Sequence, residues 1–285
     1  MNIIILIFIS LTLISSNAIS ETLKLKYFQT DNRYTYRIDL LKLSLQNTLK
    51  SDGAYLLEPV KDEFTQKRGL YYLEKGEKVN IAFFPSNKER ESKLLSIKIP
   101  ILRGLLGYRV SIIRKDNLKS FSNINSLNDL KIKFKAGFCN QWADMEILEI
   151  NNIPVIGAAK YENLFKMLSS KRFDYFPRGI NEAWKEISDR KEKFPGLMVE
   201  PTIAFYYPYP VYYFVNKKDL KIADRIERGL NLAISDGSFK KLFLQYHEKI
   251  IHQAGLNNRK FFILKNPTLE KNTKEPDTSW WLSYE

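Results

Sequence analysis

Two histidines and one cysteine set the limits of the chemistry that this sequence can do. His247 and His252 fall on one stretch of helical spacing among packing residues, and no metal-ligand spacing or nucleophile motif accompanies them. Cys139 has no partner for an intramolecular disulfide and reads as a small, buried residue. Asp144 and Glu182 could form an acid–base pair, although carboxylates near helix starts are common structural features. The arginines offer more, since a planar guanidinium can donate two parallel charge-assisted hydrogen bonds to a carboxylate. Arg178 follows a short strand and stands four residues before Glu182. It faces a ligand, or else it pairs with Asp174 or Glu182 and shapes its loop. Trp142 and Asp144 stand where a helix begins, where free backbone N–H groups favour anions. Core packing for Trp142 and helix-dipole pairing for Asp144 are the competing accounts.

Strands and helices must alternate to position these residues. Leu23 to Phe28 reads as a strand, and Ile38, Leu41, Leu45 and Leu49 as a helix that follows it. Tyr55 to Val60 and Val79 to Phe84 are further strands, with a helix through Gly69 to Lys75 between them. Tyr108 to Ile113, Lys131 to Ala136, Ile153 to Ile156, Phe173 to Phe176, Ile203 to Phe205 and Val211 to Val215 continue the series. Helices are expected after Ser126, from Gln141 to Asn151, over Tyr161 to Leu168, around Trp184, and from Ile222 to Asp236, with Ser238 capping the last. The pattern defines an α/β protein of flanked sheets. The stretch from Leu264 through Pro276, Trp280 and Trp281 reads as an extended tail.

The first twenty residues carry no charged side chain, and Ile3 to Ile14 is a nearly unbroken apolar run ending in small and polar residues. Such a run is too short for a membrane span of about 20 residues and reads as a signal peptide cleaved near Ala18 to Ser20. The mature chain is therefore expected in the periplasm, without an anchor. The net charge of +13 is scattered among 32 acidic residues, which argues against nucleic acid but suits the gathering of an anionic solute.

Three local patterns carry a resemblance. Ser86-Asn87-Lys88-Glu89-Arg90, followed by Ser96-Ile97-Lys98-Ile99-Pro100, is the first. Ser126-Leu127-Asn128-Asp129-Leu130-Lys131 is the second, and Tyr213-Phe214-Val215-Asn216-Lys217 with Ile234-Ser235-Asp236-Gly237-Ser238-Phe239 is the third. In this order they resemble the amino-acid branch (family 3) of the type II periplasmic solute-binding proteins of ABC transporters, over nearly the whole mature chain. Trp142 to Leu148 and Arg172 to Gly179 resemble a narrower gamma-proteobacterial group within it.

The resemblance implies two lobes joined by two hinge strands: residues 21–112 with 214–285 as lobe 1, and 113–213 as lobe 2, crossing near Ile112 to Arg114 and Tyr212 to Phe214. It implies that Arg90 holds a ligand carboxylate, with Ser86 and Asn87 beside it and Tyr34 lining the first lobe's side of the cleft together with Tyr36. Arg178 stands about where relatives carry the aspartate that holds a ligand's ammonium group, so the charge is reversed and an acidic solute is favoured. Trp142 and Asp144 complete the expected ligand-binding set. The implied protein is a monomer that uses no metal or cofactor and delivers a carboxylate-bearing solute to an inner-membrane ABC permease. A receptor domain informing a membrane sensor is the alternative role, and a dehydratase- or lyase-like enzyme on the same fold is a further one.

Overall fold

The computed structural model describes residues 22–270 apart from 63, 141 and 143. The expected leader and the tail residues Pro276, Trp280 and Trp281 lie outside them. The strands are β1 (Leu23–Tyr27), β2 (Tyr55–Pro59), β3 (Ile81–Pro85), β4 (Leu95–Ile97), β5 (Tyr108–Arg114), β6 (Ala136–Cys139), β7 (Val155–Ala158), β8 (Tyr175–Gly179), β9 (Leu197–Val199), β10 (Ile203–Tyr206), β11 (Val211–Val215) and β12 (Lys260–Ile263). The expected α/β alternation is present.

The first lobe is built on a parallel pair, β1–β2, and on a sheet ordered β3-β11-β4. Helix Thr35–Asn47 lies against helix Leu220–Ser235, and at their contact a Cβ on Gly229 would stand 2.0 Å from the Ser44 carbonyl oxygen. The amphipathic spacing of Ile226, Leu230 and Ala233 buries one face of the second helix against the first. The second lobe is a mixed sheet ordered β12-β10-β5-β8-β6-β7, with β9 also on β5. β5 is buried along its whole length, as a central strand covered on both faces must be. Among the described residues no helix is long and apolar enough to cross a membrane.

Several expectations shift. β5 pairs only within the large sheet and β11 only within the small one, so the crossings expected at 112–114 and 212–214 fall inside these two strands. The chain instead passes between sheets over 98–107 and 207–210, which contain Pro100, Pro208 and Pro210. Proline lacks the N–H that would extend a ladder. The two passages touch: the Tyr207 amide donates to the Gly107 carbonyl at 3.3 Å, and a Cβ on Gly107 would meet the Tyr207 carbonyl oxygen at 2.3 Å. β12, which the sequence leaves unassigned, pairs in parallel with β10 and brings the C-terminal segment onto the second lobe.

β8 runs on through Pro177 and Arg178 to Gly179, because beyond Tyr175 it is paired with β5 alone and Pro177 breaks no second ladder. The strand expected over 131–136 begins only at Ala136, since the capped helix Leu127–Lys133 takes the preceding residues. Gly237, with φ of +80°, occupies the cap position expected of Ser238.

Candidate functional site

Strand β3 positions the first lobe's side of the site. It pairs with β11 on one edge, and on the other the Gln29 side chain stands in for a backbone: its amide donates to the Phe83 carbonyl at 2.7 Å and accepts from the Phe83 N–H at 2.8 Å. Two guanidiniums converge on this edge. Arg37, from helix Thr35–Asn47, donates to the Phe83 carbonyl at 3.4 Å, and Arg90, from the short helix Lys88–Lys93, donates to that of Pro85. Arg37 lies over the Tyr34 ring at 5.0 Å, and Arg90 lies over Phe84 at 5.4 Å. Asn87 caps the Arg90 helix by accepting from the Arg90 N–H at 2.8 Å. Buried Ser86 gives its hydroxyl to Glu91, and its amide bonds the Pro210 carbonyl at 2.8 Å.

Neither Arg37 nor Arg90 has a carboxylate partner among the described residues. Burial pushes the Arg37 pKa down to about 10, and it lowers that of Arg90 as well. Both shifts have the sign of desolvated cations short of compensating charge. The second lobe is within electrostatic reach: Asp144 and Tyr209 act on Arg90, and Glu182 acts on Arg37.

The second lobe carries a closed chain of ion pairs. Asp144, in the first turn of helix Asp144–Ile150, accepts from Tyr207 Oη at 2.8 Å, Tyr209 Oη at 2.9 Å and Arg109 Nη2 at 2.5 Å. Arg109, on β5, lies over the rings of Tyr207 and Tyr209 and reaches Glu182 at 3.7 Å. Glu182 also accepts from the Gly179 amide and pairs with Arg178 at 3.1 Å. Burial would raise the Glu182 pKa, but Arg178 and Arg109 together hold it below the usual carboxylate range. Burial and the neighbouring Asp144 push both tyrosine hydroxyls well above their ordinary pKa, and burial is the larger effect. They stay neutral donors.

Arg178 is 7% exposed at its side chain and makes a two-pronged bond to Glu186, Nε to Oε2 at 2.8 Å and Nη2 to Oε1 at 2.5 Å. Its guanidinium lies over the Trp142 ring at 4.6 Å. Of the two accounts of Arg178 open from sequence, pairing within the loop describes its contacts, with Glu186 added to Glu182. Trp142 stacks parallel to Phe176 and lines an open groove of about 360 Å³ with Asn140, Met145, Glu146 and Glu149. Tyr34 stands against Arg37 and Phe83, whereas Tyr36 points into the core, where its hydroxyl bonds the Ile101 carbonyl.

Sequence reasoning passed over Arg37, Arg109, Tyr207 and Tyr209. Arg109 had a signal, being an arginine near the start of a mostly apolar strand, where a buried charge must be paired. Tyr207-Pro208-Tyr209-Pro210 had another, since prolines hold the segment extended and turn tyrosines two apart to one side. Arg37, one polar residue on an amphipathic helix, had none.

Several solved structures share the architecture that holds this site, and it is the two-lobed fold of type II periplasmic binding proteins. The probable amino-acid ABC transporter extracellular-binding protein of Bacillus subtilis superposes with a TM-score of 0.56 at 17% identity, over 79% of this chain and 98% of that one. An ancestral arginine-binding protein bound to arginine gives 0.54 at 17% identity, over 80% and 99%. A histidine kinase sensor domain with similarity to periplasmic binding proteins gives 0.53 at 13% identity, over 80% and 96%. No protein-family model and no curated protein matches the chain.

Proposed function

We propose that this chain is an exported solute-binding protein that closes its lobes on a small carboxylate-bearing molecule and delivers it to an ABC importer. The observation that carries the reading is Arg90: a guanidinium desolvated against the Pro85 carbonyl, without a carboxylate partner among the described residues, at the interface of the two lobes. A ligand carboxylate supplies the missing charge and two charge-assisted hydrogen bonds. Asn87 positions Arg90 through the helix cap, Ser86 ties the segment to the crossing passage, and Tyr34 walls the first lobe. Asp144, Arg178 and Trp142 form the second lobe's wall. The lobes take the bounds that the sheets define, with crossings over 98–107 and 207–210 and a third passage between β11 and β12 that returns the C-terminal segment to the second lobe.

The role is binding rather than catalysis. Both oxygens of Asp144 are engaged by tyrosine or guanidinium donors, and Glu182 is held below the usual carboxylate range by Arg178 and Arg109, which makes each a poor base. A monomer carrying a cleaved leader, in the periplasm, within the gamma-proteobacterial group that Trp142 to Leu148 resembles, completes the reading. Sensing for a membrane kinase is the second role, favoured by the likeness to a histidine kinase sensor domain. Adjacent genes for a permease and ATPase, or for a sensor kinase, separate the two.

Thermal unfolding of the mature protein with a panel of carboxylic acids, amino acids and phosphorylated metabolites tests the function. A ligand that binds only the folded state raises the midpoint by mass action. A rise with at least one carboxylate, and none with uncharged sugars, is expected. A panel in which no acid raises the midpoint refutes the proposal.

A further inference from the structure

The cleft offers its two cations and its carboxylates very unequally. On the first lobe, Arg37 and Arg90 lean on the Phe83 and Pro85 carbonyls. These are alternate residues of β3, so the two anchors face the same way and stand about 7 Å apart. Both guanidiniums lack a carboxylate partner among the described residues, and both keep N–H donors beyond the single carbonyl that each one touches. On the second lobe, the carboxylates of Asp144 and Glu182 are already paired with guanidiniums. Asp144 takes two tyrosine hydroxyls and the Arg109 guanidinium on its two oxygens, and Glu182 holds the Gly179 amide, Arg178 and the other side of Arg109 through Oε2, with two guanidiniums to offset its charge. Arg109 thus occupies the place between aromatic rings and carboxylates that a ligand's cationic group would need.

We infer that the cleft selects a short-chain di-acid without an amine, with Arg90 on one carboxylate and Arg37 on the other. This rests on the reading of the cleft as a solute site. Arg37 is the specificity-determining residue. Its guanidinium packs against the edge-on pair of Tyr34 and Phe83 and donates to the Phe83 carbonyl, so the second acid group meets a positioned fork rather than a mobile charge. Arg109 and Arg178 exclude amino acids because an incoming ammonium would have to displace a buried guanidinium from Asp144 or stand beside the two guanidiniums that already hold Glu182.

Calorimetric titration of protein freed of bound solute by unfolding and refolding tests the inference, with glutarate, 2-oxoglutarate, glutamate and butyrate as probes. Glutarate or 2-oxoglutarate should bind about a hundredfold more tightly than butyrate, and at least about tenfold more tightly than glutamate. In Arg37→Gln the di-acid preference over butyrate should collapse toward one, and Arg37→Lys, which keeps the charge but not the fork, should restore only part of it. Circular dichroism confirms that each variant is folded, and Arg37→Lys carries the test should Arg37→Gln not fold. Glutamate binding as tightly as glutarate, or an undiminished di-acid preference in the folded Arg37 variants, overturns the inference while leaving a carboxylate-binding cleft in place. Failure of the wild type to bind any of the four acids overturns the inference, and the broader panel then decides the reading beneath it.

Discussion

Tyr209 donates its hydroxyl to Asp144 Oδ1 at 2.9 Å, which fastens the segment that crosses between the lobes to the first turn of a second-lobe helix. The bond also completes the shell around Asp144, whose other oxygen holds Tyr207 and Arg109. Removing the carboxylate leaves the buried Arg109 guanidinium only its 3.7 Å pair with Glu182, whereas removing the Tyr209 hydroxyl leaves Asp144 two donors. Asp144→Ala should therefore cost about 3–5 kcal/mol, and Tyr209→Phe about 1 kcal/mol. Urea unfolding of both variants measures the contrast, and equal losses would show that Asp144 does not hold Arg109.

Arg90→Ala should abolish binding of any acid that the wild type binds and leave the unfolding midpoint nearly unchanged. Its guanidinium makes one hydrogen bond to a carbonyl and no ion pair among the described residues, so the fold loses little. The ligand loses a two-pronged clamp. Titration of the folded variant decides the matter, and retained affinity would remove Arg90 from the site.

His247 lies at the far side of Tyr36, packed against that ring and Phe243, and neither of its ring nitrogens has a hydrogen-bond partner among the described residues. Burial lowers its pKa to about 4, with Arg37 a smaller contributor. The folded pKa lies below the unfolded value of about 6.5, so between these two the unfolded chain binds the extra proton. Its contribution to stability is complete above pH 6.5 and is lost as the pH falls toward 4, by on the order of 3 kcal/mol. His247→Phe should be neutral or stabilising at pH 7 and should flatten that part of the profile. Urea midpoints at pH 7 and pH 5 provide the measurement.

Gly107→Ala should destabilise by about 1–3 kcal/mol, because the new methyl meets the Tyr207 carbonyl oxygen, a backbone atom of the other crossing passage. The strain falls where the lobes are joined, so small-angle scattering of the variant should report a wider separation of the lobes. A variant as stable and as compact as the wild type would show that the two passages need no close contact.

The sequence by itself determined the α/β alternation and most strand centres, because apolar periodicity and capping residues act locally, and its resemblance to solute-binding proteins implied the two lobes. Ser126 with Asp129 makes the expected capping box, and Ile226, Leu230 and Ala233 bury the expected face. It also brought forward Arg90, through the short motif around Asn87. Only the tertiary structure decided where the chain crosses between sheets, since strand pairing at β5 and β11 depends on partners far away in the chain. It decided the electrostatics as well. Whether an arginine is a free cation depends on which carboxylates reach it, so Arg178 is neutralised by Glu182 and Glu186, whereas part-buried Arg37, which the sequence does not single out, has no carboxylate partner among the described residues.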